Sequence, residues 1–131
     1  MLPGQPVRCD SMLFCLNYEQ HESASFSIHR TFSILVVRRL SEPALPCFFV
    51  ATAWRGQRGS IQKFRIRIRQ ESTGAFILCA DVDVPFGPTG RGRSAMAIEN
   101  LIFPAYGDYV FEVVVDGVVA NSEVLSVVPH V

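Results

Sequence analysis

The sequence predicts an all-β domain, an antiparallel β-sandwich of seven or eight strands. Three observations predict it. The run Lys63-Phe64-Arg65-Ile66-Arg67-Ile68-Arg69 alternates cation and hydrophobe without a break, the period of a strand with one dry face and one wet face. Short apolar runs are separated by turn residues at intervals of about 8–12 residues, the pattern of a sandwich or barrel. No segment carries the apolar stripe of an amphipathic helix.

The chain of 131 residues is long enough for one domain, and a domain of this size buries about two-thirds of its unfolded surface. Hydrophobic residues make up 49% and charged residues 18%, against about 25% charged in an ordinary soluble domain. That excess of apolar surface needs covering, and a homo-oligomer is one way to cover it. Formal net charge is zero, so no global field draws the chain to nucleic acid or an anionic membrane, and neither is an expected partner. The zero conceals an asymmetry. Residues 30–93 hold ten Arg, one Lys and four acids, residues 94–131 hold five acids and no Lys or Arg, and residues 1–29 hold one Arg and three acids. Neighbouring strands of one compact domain can neutralise these segments against each other.

Residues 1–10, with Pro3, Gly4 and Pro6, read as a flexible lead-in, and residues 11–131 as the sandwich domain. Strands are expected near 11–18, 24–37 (in one or two pieces), 46–54, 61–70, 75–84, 95–103, 108–116 and 118–128. Turn residues at Ser41-Glu42-Pro43, Arg55-Gly56-Gln57-Arg58-Gly59, Ser72-Thr73-Gly74, Pro85-Phe86-Gly87-Pro88 and Asp116-Gly117 separate them. Asp116-Gly117 fits a two-residue type I′ turn, which needs positive φ at both centres.

The hairpin joining 61–70 to 75–84 can be registered by parity. Phe64, Ile66 and Ile68 point inward from the first strand, and Phe76, Leu78, Ala80, Val82 and Val84 from the second. Even must oppose even, so Ser72-Thr73-Gly74 is expected to form a three-residue loop with Glu71 opposite Ala75. Lys63 then opposes Asp83, Arg65 opposes Asp81, Arg67 opposes Cys79 and Arg69 opposes Ile77. Two cations gain acidic partners, and Arg67 and Arg69 are left as candidate anion contacts.

The run Cys47-Phe48-Phe49-Val50-Ala51-Thr52-Ala53-Trp54 does not alternate. A sandwich strand normally shows one face to water, so a loop, a lid or another subunit is expected over the second face. Phe48, Phe49, Val50 and Trp54 are the candidate interface residues. Trp54 beside Arg55 and Arg58 is either a strand-end anchor or a ligand platform.

No pattern supports catalysis. Gly87-Pro88-Thr89-Gly90-Arg91-Gly92-Arg93-Ser94 lacks the lysine and following helix of a phosphate-binding P-loop. It reads as a mobile basic loop in which Arg91 and Arg93 could contact an anion. His21, His29 and His130 lack a nucleophile-elbow context. Asp81 and Asp83 lie two apart on one strand face, but the cations opposite would keep both ionised and unable to donate a proton. Cys9, Cys15, Cys47 and Cys79 are scattered without a zinc pattern. No metal and no cofactor is expected. The first twenty residues carry no secretory signal, and no apolar stretch reaches the length of a membrane helix, so a cytoplasmic setting with free thiols is expected.

The stretch Phe103-Pro104-Ala105-Tyr106-Gly107-Asp108-Tyr109-Val110-Phe111-Glu112-Val113-Val114-Val115-Asp116-Gly117 resembles the penultimate hairpin of bacterial immunoglobulin-like sandwiches, with Pro, then Gly-x-Tyr-x-Phe, then an alternating strand closed by Asp-Gly. More narrowly, the chain resembles a family of uncharacterised bacterial single-domain proteins, a domain of unknown function. Met12-Leu13-Phe14-Cys15-Leu16-Asn17-Tyr18 is similar to that family's first strand, and Leu45-Pro46-Cys47-Phe48-Phe49-Val50-Ala51 to its third segment. The resemblance implies an immunoglobulin-like fold in a bacterial cytosol and brings no catalytic residues with it.

The functional expectation is a non-enzymatic binding or assembly module that associates with itself or another protein. The alternative is a protein or enzyme with an anion pocket at the loop end near 87–94.

Overall fold

The computed structural model describes residues 7–20 and 26–130. It contains nine strands: β1 (Arg8–Gln20), β2 (Phe26–Phe32), β3 (Ile34–Val37), β4 (Cys47–Arg55), β5 (Ile61–Gln70), β6 (Phe76–Pro85), β7 (Arg91–Glu99), β8 (Gly107–Val115) and β9 (Val118–Pro129). They form a four-stranded sheet in the order β2-β1-β4-β7 and a five-stranded sheet in the order β3-β9-β8-β5-β6. Every pairing is antiparallel except β3 with β9. Among the described residues there are nine strands because the chain divides at Ser33, sending β2 and β3 to different sheets. The first strand starts at Arg8, within the expected lead-in, while residues 1–6 lie outside the described residues.

The inward faces of the two sheets supply one core. Phe14, Trp54, Phe64, Ile66, Ile68, Tyr109, Phe111 and Leu125 are all buried within it. Trp54 lies against Phe64 with ring centroids 4.7 Å apart, and Phe14 meets Phe111 edge-on at 4.7 Å. The indole of Trp54 donates to Thr52 Oγ1 at 2.8 Å, and Thr52 shares a 3.2 Å hydrogen bond with Ser94 Oγ. A buried ring N–H is thereby satisfied inside the apolar layer.

Two corners identify the sandwich. The chain crosses between sheets from β4 to β5 and back from β6 to β7. At the start of β8 the Tyr109 hydroxyl donates to the Ala105 carbonyl at 2.7 Å and accepts from the Ala105 amide at 3.1 Å. This tyrosine corner, with β5, β8 and β9 in one sheet and β1, β4 and β7 in the other, is an immunoglobulin-like arrangement.

The β5–β6 register holds as far as Ile68 opposite Leu78, with Lys63 on Asp83, Arg65 on Asp81 and Arg67 on Cys79. Beyond that a bulge leaves Ile77 unpaired and sets Arg69 against Phe76. The Gln70 amide donates to the Ala75 carbonyl, so the loop has four residues, 71–74, rather than three. Gly74 keeps the expected left-handed conformation, φ 73°. The extra residue turns Phe76 outward, where the Arg67 guanidinium lies 5.2 Å from its ring centroid. The turn at Asp116 (φ 50°) and Gly117 (φ 80°) has both centres at positive φ, as a type I′ hairpin requires.

The other correction concerns β7, which begins at Arg91 rather than near 95 and ends at Glu99. Half of the expected basic loop is therefore strand. Gly92 concealed it: a Cβ there would sit 2.8 Å from the Pro85 carbonyl oxygen, so the position is buried yet carries no hydrophobic signature.

Candidate functional site

The arginine row of β5 is neutralised from both neighbouring strands. Arg65 Nε donates to Asp81 on β6 at 3.0 Å. Arg67 and Arg69, expected to be unpaired, both donate to Glu112 on β8, at 3.1 and 3.3 Å. Their partner comes from the second neighbour of β5, which hairpin parity cannot reveal. Glu112 is largely buried, and its position supplies the acidic C-terminal segment's compensation for the basic middle. The Arg65 hydrogen bond holds the Asp81 carboxyl below its ordinary value, so Asp81 is unsuited to donate a proton. An open depression of about 400 Å³ lies over β5, lined in part by Lys63, Arg65, Arg67, Asp81 and Asp116. Its mixed charge gives it little preference for an anion.

The second candidate region is β4. Phe48, Val50 and Trp54 face the core at 1–2% exposure, which corrects their place as interface residues. Only Phe49 of that set lies on the outer face, half-buried, with Tyr18 edge-on to it at 4.9 Å. The strand reads as apolar on both faces because its outer side carries Cys47, Phe49, Ala51 and Ala53.

Register builds that outer face row by row across β1, β4 and β7. Cys15, Phe49 and Ala97 lie abreast, then Leu13, Ala51 and Ala95, then Ser11, Ala53 and Arg93, and last Arg8, Arg55 and Arg91. The first two rows are apolar, with bulk at Leu13 on β1 and Phe49 on β4 and alanines on β7. Leu13 is 41% exposed, and among the described elements none is layered outside this sheet. A β1 bulge between Cys9 and Ser11 releases Asp10. Its carboxylate accepts from Arg8 Nε at 2.7 Å and forms an ion pair with Arg55, whose Nε lies 2.8 Å away. Arg91 and Arg93 therefore belong to this sheet face, beside Arg8 and Arg55, and not to a loop. Arg8 and Arg55 escaped the sequence reading because register alone brings them alongside Arg91.

The remaining candidates stay dispersed. His29 on β2 faces Glu19 at 4.0 Å, and His21 lies outside the described residues. Among the described residues no group of three His, Cys, Asp or Glu could hold a metal ion, and no helix is long and apolar enough to cross a membrane. Burial pushes the Cys9 thiol up to about 11 and raises that of Cys15, while Cys79 is exposed on β6.

A family of unknown function, DUF6941, matches residues 10–128, and the chain belongs to it. A search of curated proteins returns no match. Among solved structures, an immunoglobulin-like protein from Pseudomonas aeruginosa is similar over 95% of this chain and 98% of its own, at 15% identity and a TM-score of 0.49.

Proposed function

We propose that the chain is a non-enzymatic assembly module that pairs with a second copy of itself through the outer face of the four-stranded sheet. The observation that carries this reading is the apolar outer face, on which Leu13 and Ala97 are exposed and Phe49 and Ala95 half-buried, with Cys15 and Ala51 buried between them. Their shape favours a like partner. Bulk stands at Leu13 on β1 and Phe49 on β4 and alanines form a low strip on β7, so a second copy turned about a two-fold axis sets each Leu13 toward the other's alanine strip. A two-fold interface must be self-complementary in this sense. Flat sheets with small central residues can approach to about 10 Å, the spacing of packed sheets. The low charged fraction, 18%, fits a surface that is covered in use.

Size-exclusion chromatography with light scattering tests the reading. A species of twice the 14.6 kDa chain mass is expected at tens of micromolar. A strict monomer there would remove self-association.

A further inference from the structure

We propose that Arg8, Arg55 and Arg91, with Arg93 beside them, form a binding site for a small soluble ligand carrying adjacent phosphate groups. The three arginines stand directly opposite one another on three neighbouring strands. Cys9, Trp54 and Gly92, next to them in sequence, all turn inward and are buried, so the three guanidinium groups share the outer face. Like charges opposed across strands destabilise a sheet. A local rule broken in this way is most often broken where function needs it.

Asp10 answers only part of the charge. It meets Arg8 and Arg55 at Nε, and their side chains remain 61% and 54% exposed, so the outer parts of both guanidinium groups face solvent. Arg8, Arg55 and Arg91 against the one carboxylate of Asp10 leave two positive charges in excess on this row. Adjacent strands lie about 4.8 Å apart, so the row presents several planar forks within reach of one compact anion. That geometry suits bidentate contact with phosphate oxygens. The frame is tied down from beneath: the Gly56 amide donates to the Gly90 carbonyl at 2.8 Å and the Gly59 amide to the Phe86 carbonyl at 3.1 Å.

The patch is short. Beyond Arg93 the face continues as Leu13, Ala51 and Ala95, so it offers no track for an extended polyanion. The β5 row cannot substitute, because Asp81 and Glu112 already occupy Arg65, Arg67 and Arg69. The site lies at the rim of the apolar face and does not depend on self-association.

Isothermal titration calorimetry of the full chain with inorganic pyrophosphate at low salt tests the site. Saturable binding is expected, weakened roughly ten- to a hundredfold in Arg91→Ala and in Arg8→Ala, and unchanged in Arg65→Ala on the other sheet. The unliganded Arg91→Ala protein should unfold at the same temperature or higher, since the substitution relieves the opposition to Arg55. Absence of saturable binding would overturn the proposal. So would an equal loss in Arg65→Ala, or single-stranded DNA binding more tightly than pyrophosphate, which would make the row a general polyanion surface.

Discussion

Glu112 takes Arg67 at 3.1 Å through the same oxygen, Oε1, that takes Arg69 at 3.3 Å. One carboxylate on β8 thus anchors two cations of β5 and ties the basic middle of the chain to its acidic end. Glu112→Gln removes the charge and keeps the shape, leaving two half-buried guanidinium groups without a counter-ion. The expected loss is about 1–3 kcal/mol, below the cost of breaking a fully buried pair because the arginines keep some water. The urea midpoint reads it, and an unchanged midpoint would show that solvent already screens the pair.

Tyr109 closes the corner before β8 by both donating to and accepting from the Ala105 backbone. Tyr109→Phe keeps the buried ring and leaves both Ala105 groups short of a partner. A loss of about 1–3 kcal/mol is expected, with the fold retained by circular dichroism.

Gly92 and Gly87 should differ in their response to alanine. At Gly92 a Cβ would lie 2.8 Å from both the Pro85 oxygen and Val84 Cγ2, whereas at Gly87 the nearest atom is 3.8 Å away. Gly92→Ala should cost about 1–3 kcal/mol through overpacking, and Gly87→Ala should leave thermal stability nearly unchanged. Equal effects would mean that the β6–β7 crossing is looser than its geometry.

Stability should fall at both pH extremes for reasons that can be separated. Cys9 has a thiol raised from 9.0 to about 11, chiefly by burial. The folded state therefore holds that proton more tightly than the unfolded chain. Its contribution is complete below pH 9.0 and is lost as pH rises toward about 11. Asp81 is lowered by its Arg65 hydrogen bond, so its contribution is present above the ordinary carboxylate range and is lost as pH falls through the lowered value. Thermal melts from acid to alkaline pH should show Cys9→Ala flattening only the alkaline limb and Asp81→Asn only the acid limb. A Cys9→Ala protein with an unaltered alkaline limb would contradict the assignment.

Much of the fold was legible because parity is a local rule. The alternation in 63–69 fixes which residues of β5 and β6 share a face, and Asp116-Gly117 fixes its turn by conformational need. What stayed hidden was non-local. The place of β8 on the far side of β5 decides the partner of Arg67 and Arg69, and no spacing within the hairpin encodes it. The bulge that turns Phe76 outward has no sequence mark. Gly92 masked the start of β7, because glycine fills a buried strand position without appearing apolar. The candidate site was half legible. Arg91 and Arg93 stood out as charges, while Arg8 and Arg55 join them only through the register of three strands.

The self-association proposed for the outer face of the four-stranded sheet can be probed at one residue. Ala97 is an exposed residue on β7, at the edge of that face and abreast of Phe49, so a charge can be placed there without emptying the core. Sedimentation velocity of wild type and Ala97→Glu, both at tens of micromolar, tests the claim most directly. A dimer is expected for wild type and a folded monomer for Ala97→Glu. A wild-type monomer, or a dimer that Ala97→Glu leaves intact, would contradict it.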